Sequence, residues 1–158
     1  MRQNTAPGSL SIKIITSLIL ILTIVIVTGA FYINELIWAG LILTIVVLYC
    51  YISSPVSYEL NADQLIVKLR KSNKIFAPVV NCSSIHGDKP SFSIRMWGNG
   101  GLFAATGIFW NRKYGIFRAY VTTGDKSYFV LVETPDSKII ITPEEPDKFI
   151  SFFNSQYK

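Results

Sequence analysis

Histidine is all but missing from this chain and cysteine is scarce: His86 stands alone, and Cys50 and Cys82 are the only thiols in 158 residues. Metal centres are built from clustered His, Cys and carboxylate ligands, so this supply gives no metal site to propose. The two thiols are not expected to meet, and lone thiols suit a reducing cytoplasmic face. No glycine-rich segment ends in the Gly-Lys-Ser/Thr of a P-loop. Cys82 and His86 form a weak dyad with only Asp88 to orient it, and a loop histidine is usually just solvated. No catalytic residue and no cofactor are therefore expected. Acidic residues are the minority charge, 10 against 15 Lys and Arg, for a net +5. From Ser54 onward there are 13 basic and 9 acidic residues, net +4. That balance suits a domain beside a negative surface and is too weak to argue for nucleic acid.

Charge is absent altogether from two long stretches. Ile14 to Ile33 is an uncharged run rich in Ile, Leu, Val and Thr, and Leu36 to Ser53 is a second. At about 1.5 Å per helical residue the first spans roughly 30 Å, a bilayer's hydrocarbon core. The β-branched residues would suit buried strands, but strands of this length are abnormal, and in lipid only a helix satisfies its own backbone. With only Asn34 and Glu35 between them, the runs predict a transmembrane hairpin, 14–33 and 36–53, within a segment 14–54. Arg2 and Lys13 precede it and Lys68, Arg70, Lys71 and Lys74 follow. The positive-inside rule then places the protein in the cell membrane, multi-pass, with both termini cytoplasmic and residues 1–13 as a cytoplasmic tail. Tyr32 and Trp38 flank the outer turn; Tyr49 and Tyr51 mark the inner end. The alternative is a cleaved leader ending near Thr28-Gly29-Ala30, which still leaves 36–53 as an anchor.

After Pro55 the pattern switches to alternation. Val56, Tyr58 and Leu60, then Leu65, Val67 and Leu69, predict two strands joined at Asn61-Ala62-Asp63. Ile75 to Val80 predicts a third, an edge strand because of Pro78. Asn81 to Pro90 is looser, Ser91 to Trp97 is a strand, and Gly98-Asn99-Gly100-Gly101 is the strongest turn signal, better explained by positive φ than by phosphate cradling. Leu102 to Trp110 is ambiguous between strand and irregular turn. Strands follow at Ile116 to Thr122, Tyr128 to Glu133 and Lys138 to Ile141. Thr142 and Glu145 have capping-box spacing with Pro143 at the first helical position, although Pro146 argues for a later start. Phe149, Phe152 and Phe153 share one face of the closing helix.

About seven antiparallel strands and a capping helix over 55–158 describe an α+β, mainly β domain. Arg95-Met96-Trp97-Gly98-Asn99-Gly100-Gly101-Leu102-Phe103, Gly107-Ile108-Phe109-Trp110, and Gly115 through Thr122 resemble a family of bacterial pleckstrin-homology-like domains, as does Ile141 through Phe149. The likeness covers about 57–155, with Ala104-Ala105 a mild departure where a Gly–aromatic pair is common. It implies a PH-like barrel and a membrane-linked role, and no reaction.

The candidate ligand-binding residues are basic: Lys68, Arg70 and Lys71 close after the second helix, Arg112 and Lys113 in a turn, with Arg95 and Arg118 beside it. Trp97 and Trp110 are taken as core or groove residues rather than a stacking platform. The function expected is a membrane-anchored, non-enzymatic module that binds a protein or self-associates at the cytoplasmic face. The alternative is a sensor of anionic lipid headgroups.

Overall fold

Continuous apolar sequence gives two antiparallel helices, α1 (Leu10–Gly29) and α2 (Leu36–Ile52), in a computed structural model that describes residues 1–61, 63–85 and 93–156. Helix α1 is long and apolar enough to cross a membrane; α2 is apolar and shorter, 17 residues. Two of their threonines bond to their own helix, Thr23 Oγ1 donating to Ile19 O and Thr44 Oγ1 to Gly40 O, both 2.7 Å, so neither hydroxyl needs an outside partner. The helices meet closely at Gly40, where a Cβ would lie 3.4 Å from Val27 Cγ2. Helix α1 starts before the expected Ile14 because Ser9 caps it, its side chain accepting from Ile12 N–H. It also stops earlier, at Gly29. Tyr32 and Ile33 N–H then both bond to Gly29 O at 2.9 Å, so the connection is wider than Asn34-Glu35.

The β region forms two sheets. The first has the order β1-β2-β3-β4: β1 (Arg2–Asn4), β2 (Pro55–Asn61), β3 (Gln64–Leu69) and β4 (Asn73–Phe76). The second adds β5 (Asn81–Ser84), β6 (Ile94–Gly100), β7 (Ala105–Asn111), β8 (Gly115–Val121), β9 (Val130–Glu133) and β10 (Lys138–Ile141), in the order β5-β9-β10-β8-β7-β6. The expected barrel of about seven antiparallel strands is thus corrected to ten described strands in two sheets that do not close. Pairing is antiparallel except β8 with β10, where Arg118 lies opposite Ile139. The looser segment contains β5, and the third strand ends at Phe76, ahead of a cis Ala77–Pro78 peptide.

Alternation sorts β2 and β3 cleanly. Tyr58, Leu60, Leu65 and Val67 are buried against Val130, Val132, Ile139 and Ile141 of the second sheet, each apolar side chain contributing about 1.5–3 kcal/mol. Leu131 and Ile140 point the other way and join Phe117, Ala119 and Val121 in a second cluster. Burial on both faces explains the unbroken apolar runs Val130–Leu131–Val132 and Ile139–Ile140–Ile141. The helix α3 (Pro146–Gln156) closes the first core with Phe149 and Phe153. Pro146 is its first residue, so the expected capping box does not form. Thr142 instead accepts from Thr122 N–H at 3.0 Å.

Of the segment 1–13, expected as a tail, residues 1–6 bond to the domain and Leu10 onward already belongs to α1. Gln3 pairs with Tyr58 in the β1–β2 ladder. Ala6 N–H bonds to Thr142 O and Thr122 Oγ1 to Ala6 O, both 2.8 Å. Tyr58 Oη donates to Tyr120 O at 2.6 Å in the same buried network. Burial raises the Tyr58 phenol well above its ordinary value, with Thr142 opposing. Arg2-Gln3-Asn4 has no apolar period, so only its tertiary setting makes it a strand.

Candidate functional site

The basic residues fall into separate groups. Lys68 is taken up within the first sheet: its Nζ lies 2.6 Å from Glu59 Oε2 across the β2–β3 pair. That hydrogen bond holds the Glu59 carboxyl below its usual range. Arg70 is a strut between α2 and the domain. Its Nε donates to Ser54 Oγ at 3.0 Å and its Nη1 to Tyr51 Oη at 3.3 Å, with the guanidinium 4.3 Å from the Tyr51 ring centre. Lys71 is exposed in the turn between β3 and β4.

Arg112 and Lys113 occupy the β7–β8 turn, where Asn111 Oδ1 accepts from Tyr114 N–H at 2.7 Å. The Lys113 ammonium lies 5.3 Å from the Tyr114 ring centre. Arg118 sits on β8, 5.9 Å from the Phe76 ring centre. It opens into a cleft of about 360 Å³ that also holds Lys74, Phe76, Thr134 and Asp136. Burial raises the neighbouring Tyr120 phenol, and the Arg118 charge works against that shift.

Arg95 opens into a different cleft, about 460 Å³, between β6 and the end of α2. Val46, Tyr49 and Cys50 form one wall and Arg95, Met96 and Trp97 the other. Trp97 is 75% exposed and Trp110 41% exposed, so neither belongs to a core; Trp97 is a groove residue. A smaller adjoining cleft joins Tyr49 and Ser53 to Lys74 and Trp97. Arg95, Arg112 and Arg118, expected to cluster, do not share one cleft.

Two contacts had no signal in the sequence. Phe103 N–H bonds to Thr16 Oγ1 of α1 at 3.0 Å, and its ring meets Tyr51 of α2 edge-on at 5.2 Å between centres. The turn carrying Phe103 is shaped by Asn99, whose Oδ1 accepts from Gly101 and Leu102 N–H and whose Nδ2 donates to Leu102 O. Gly98-Asn99-Gly100 therefore completes β6 and the turn lies just after it, one step later than expected.

His86 lies outside the described residues. Cys82 is 4% exposed, and burial pushes its thiol up to about 12. In a Cys50→Ser background the folded protein is expected to resist a maleimide at pH 8 and to react once unfolded. Rapid labelling before unfolding would contradict this burial. Among the described residues no three His, Cys, Asp or Glu side chains gather.

Two mostly antiparallel sheets with a terminal helix against the first core, and clefts lined by basic and aromatic residues, make up a mainly β domain. The model of the family described as Bacterial PH domain matches residues 56–157, and the chain belongs to that family. PH domains are in general non-catalytic binding modules. No match is found among curated proteins or among solved structures.

Proposed function

We propose that this protein is a membrane-anchored, non-catalytic module that holds a PH-like domain against the cytoplasmic leaflet and offers it to a protein ligand. The observation that carries this reading is the tie between domain and helices: Arg70 to Ser54 and Tyr51, Phe103 to Thr16, and β1 within the first sheet. A domain held at both helix ends needs no headgroup affinity for recruitment. Its binding capacity is then available for a partner.

Length and composition support the anchor. In this reading both helices cross, α2 contributing roughly 26 Å and the connecting turn the remainder. Basic flanks support the reading with both termini inside. The bonding of residues 2–6 into the domain favours their retention over cleavage as a leader.

The partner site we favour is the cleft beside β4, an outer strand of the first sheet, where Ile75 is 62% exposed and lines the cleft with Lys74 and Arg118. Such an edge accepts an extended segment by strand addition, from another protein or a second copy. A photo-crosslinker at Ile75 in native membranes is expected to give a discrete protein adduct that Arg118→Glu abolishes. One at exposed Asn154 is expected to give none. Lipid adducts alone from Ile75 would overturn the reading in favour of headgroup sensing.

A further inference from the structure

We propose that the outer edge of β6, Arg95–Trp97, is itself seated in the bilayer, with Met96 and Trp97 in the interfacial layer and Arg95 and Lys74 at the phosphates. This rests on the reading of α1 and α2 as membrane-spanning.

Depth is the first argument. Trp97 shares a cleft with Val46, which lies roughly 9 Å along the helix before α2 ends at Ile52. On the other helix, Thr16 holds the Phe103 N–H roughly 9 Å inside the start of α1 at Leu10. The domain therefore bonds α1, and its Trp97 cleft reaches along α2, more than one turn within their apolar lengths. Beyond Thr16, α1 keeps only Ser17–Gly29, about 13 residues or roughly 20 Å, against about 30 Å of hydrocarbon. A domain standing wholly in water would leave a mismatch of several ångströms, even after the apolar turn at Phe31–Ile33 is added. Seating the β6 edge in the interfacial layer reduces that mismatch.

The local chemistry agrees. The β6–β7 register slips between Arg95 and Trp97, a bulge that breaks in–out alternation and leaves Met96 55% and Trp97 75% exposed side by side. Among the described residues neither cleft at this edge is lined by an acidic side chain, while Arg95 lines one and Lys74 the other. An amphipathic indole beside basic groups matches the layer between acyl chains and anionic headgroups.

The test uses the full chain in vesicles of zwitterionic and anionic phospholipid, with or without lipids brominated near the carbonyl. The tryptophans Trp38, Trp97 and Trp110 are reduced to one by paired Trp→Phe changes. The protein keeping Trp97 is expected to emit at shorter wavelength than an aqueous indole and to lose at least half its intensity to shallow bromines. The protein keeping Trp38, at the opposite end of the hairpin, is expected to be quenched as well. If Trp38 is quenched and Trp97 is not, the hairpin stands and the seating is overturned, including the case in which another protein covers Trp97. If neither is quenched, the membrane-spanning reading fails and the seating with it. Should a paired variant not fold, fluorotryptophan in the unaltered chain with spin-labelled lipid gives the same readout.

Discussion

Replacing Phe149 with alanine is expected to lower the domain's unfolding free energy by about 3–5 kcal/mol, the range for emptying a buried aromatic site. Phe149 is fully buried in the first core, and with Phe153 it is how α3 is held there. An 11-residue helix has little stability alone. Loss of its main apolar contact should therefore free α3 as a unit and uncover the core beneath. Denaturant unfolding in detergent measures the first effect, and proteolysis within 146–156 the second. Ser151→Ala, at an exposed position of the same helix, is expected to stay within about 0.5 kcal/mol. A loss below about 1 kcal/mol for Phe149→Ala would mean the site collapses to fill the space.

A comparable loss is expected from a single methyl group at Gly107. Gly98 and Gly107 face each other across β6 and β7, with φ of 109° and 146°. Side chains avoid such angles. A Cβ on Gly107 would collide with the Trp97 carbonyl oxygen and approach the Gly98 Cα to 2.9 Å. Both strain and collision act on backbone, which cannot swing aside, so Gly107→Ala is expected to cost on the order of 3 kcal/mol. Thermal unfolding would measure it. Gly124→Ala is the control, since its Cβ meets open space at an ordinary φ, and it should stay within about 0.5 kcal/mol. Equal stability of the two variants would show that β6 and β7 can separate at this pair without loss.

The features legible in the sequence were those with a period or a long run. Two uncharged runs announced two helices, and alternation from Val56 to Leu69 announced the first hairpin, because each arises within one segment. The closing helix was legible from Phe149, Phe152 and Phe153. Its start was not, because Thr142, a good cap by spacing, is drawn into the buried network with Thr122 and Ala6. The strands at Arg2–Asn4 and Asn81–Ser84 carry too few apolar residues to show a period, and distant partners hold them in place. Gly98-Asn99-Gly100 pointed to a turn by composition, yet the tight Gly98–Gly107 approach keeps it in the strand. The basic residues were visible as charges, but nothing in their spacing told that Lys68 and Arg70 are engaged within the fold while Arg95 and Arg118 open into different clefts.

The pairing of β1 with β2 has a consequence for how the molecule is assembled. The two strands are neighbours in the sheet, yet the whole helical hairpin lies between them in the chain. The hairpin is thus an excursion out of a sheet rather than a stalk attached to one end. Packed antiparallel, α1 and α2 bring Ser9 and Ser53 back to one place, so most of the entropy of closing so long a loop is already spent when the helices dock. Edge completion and helix pairing become one cooperative event. A chain whose hairpin is misplaced would lack the bonds that Leu60, Thr122 and Thr142 make to its first residues, and its β domain would carry that fault as lost stability.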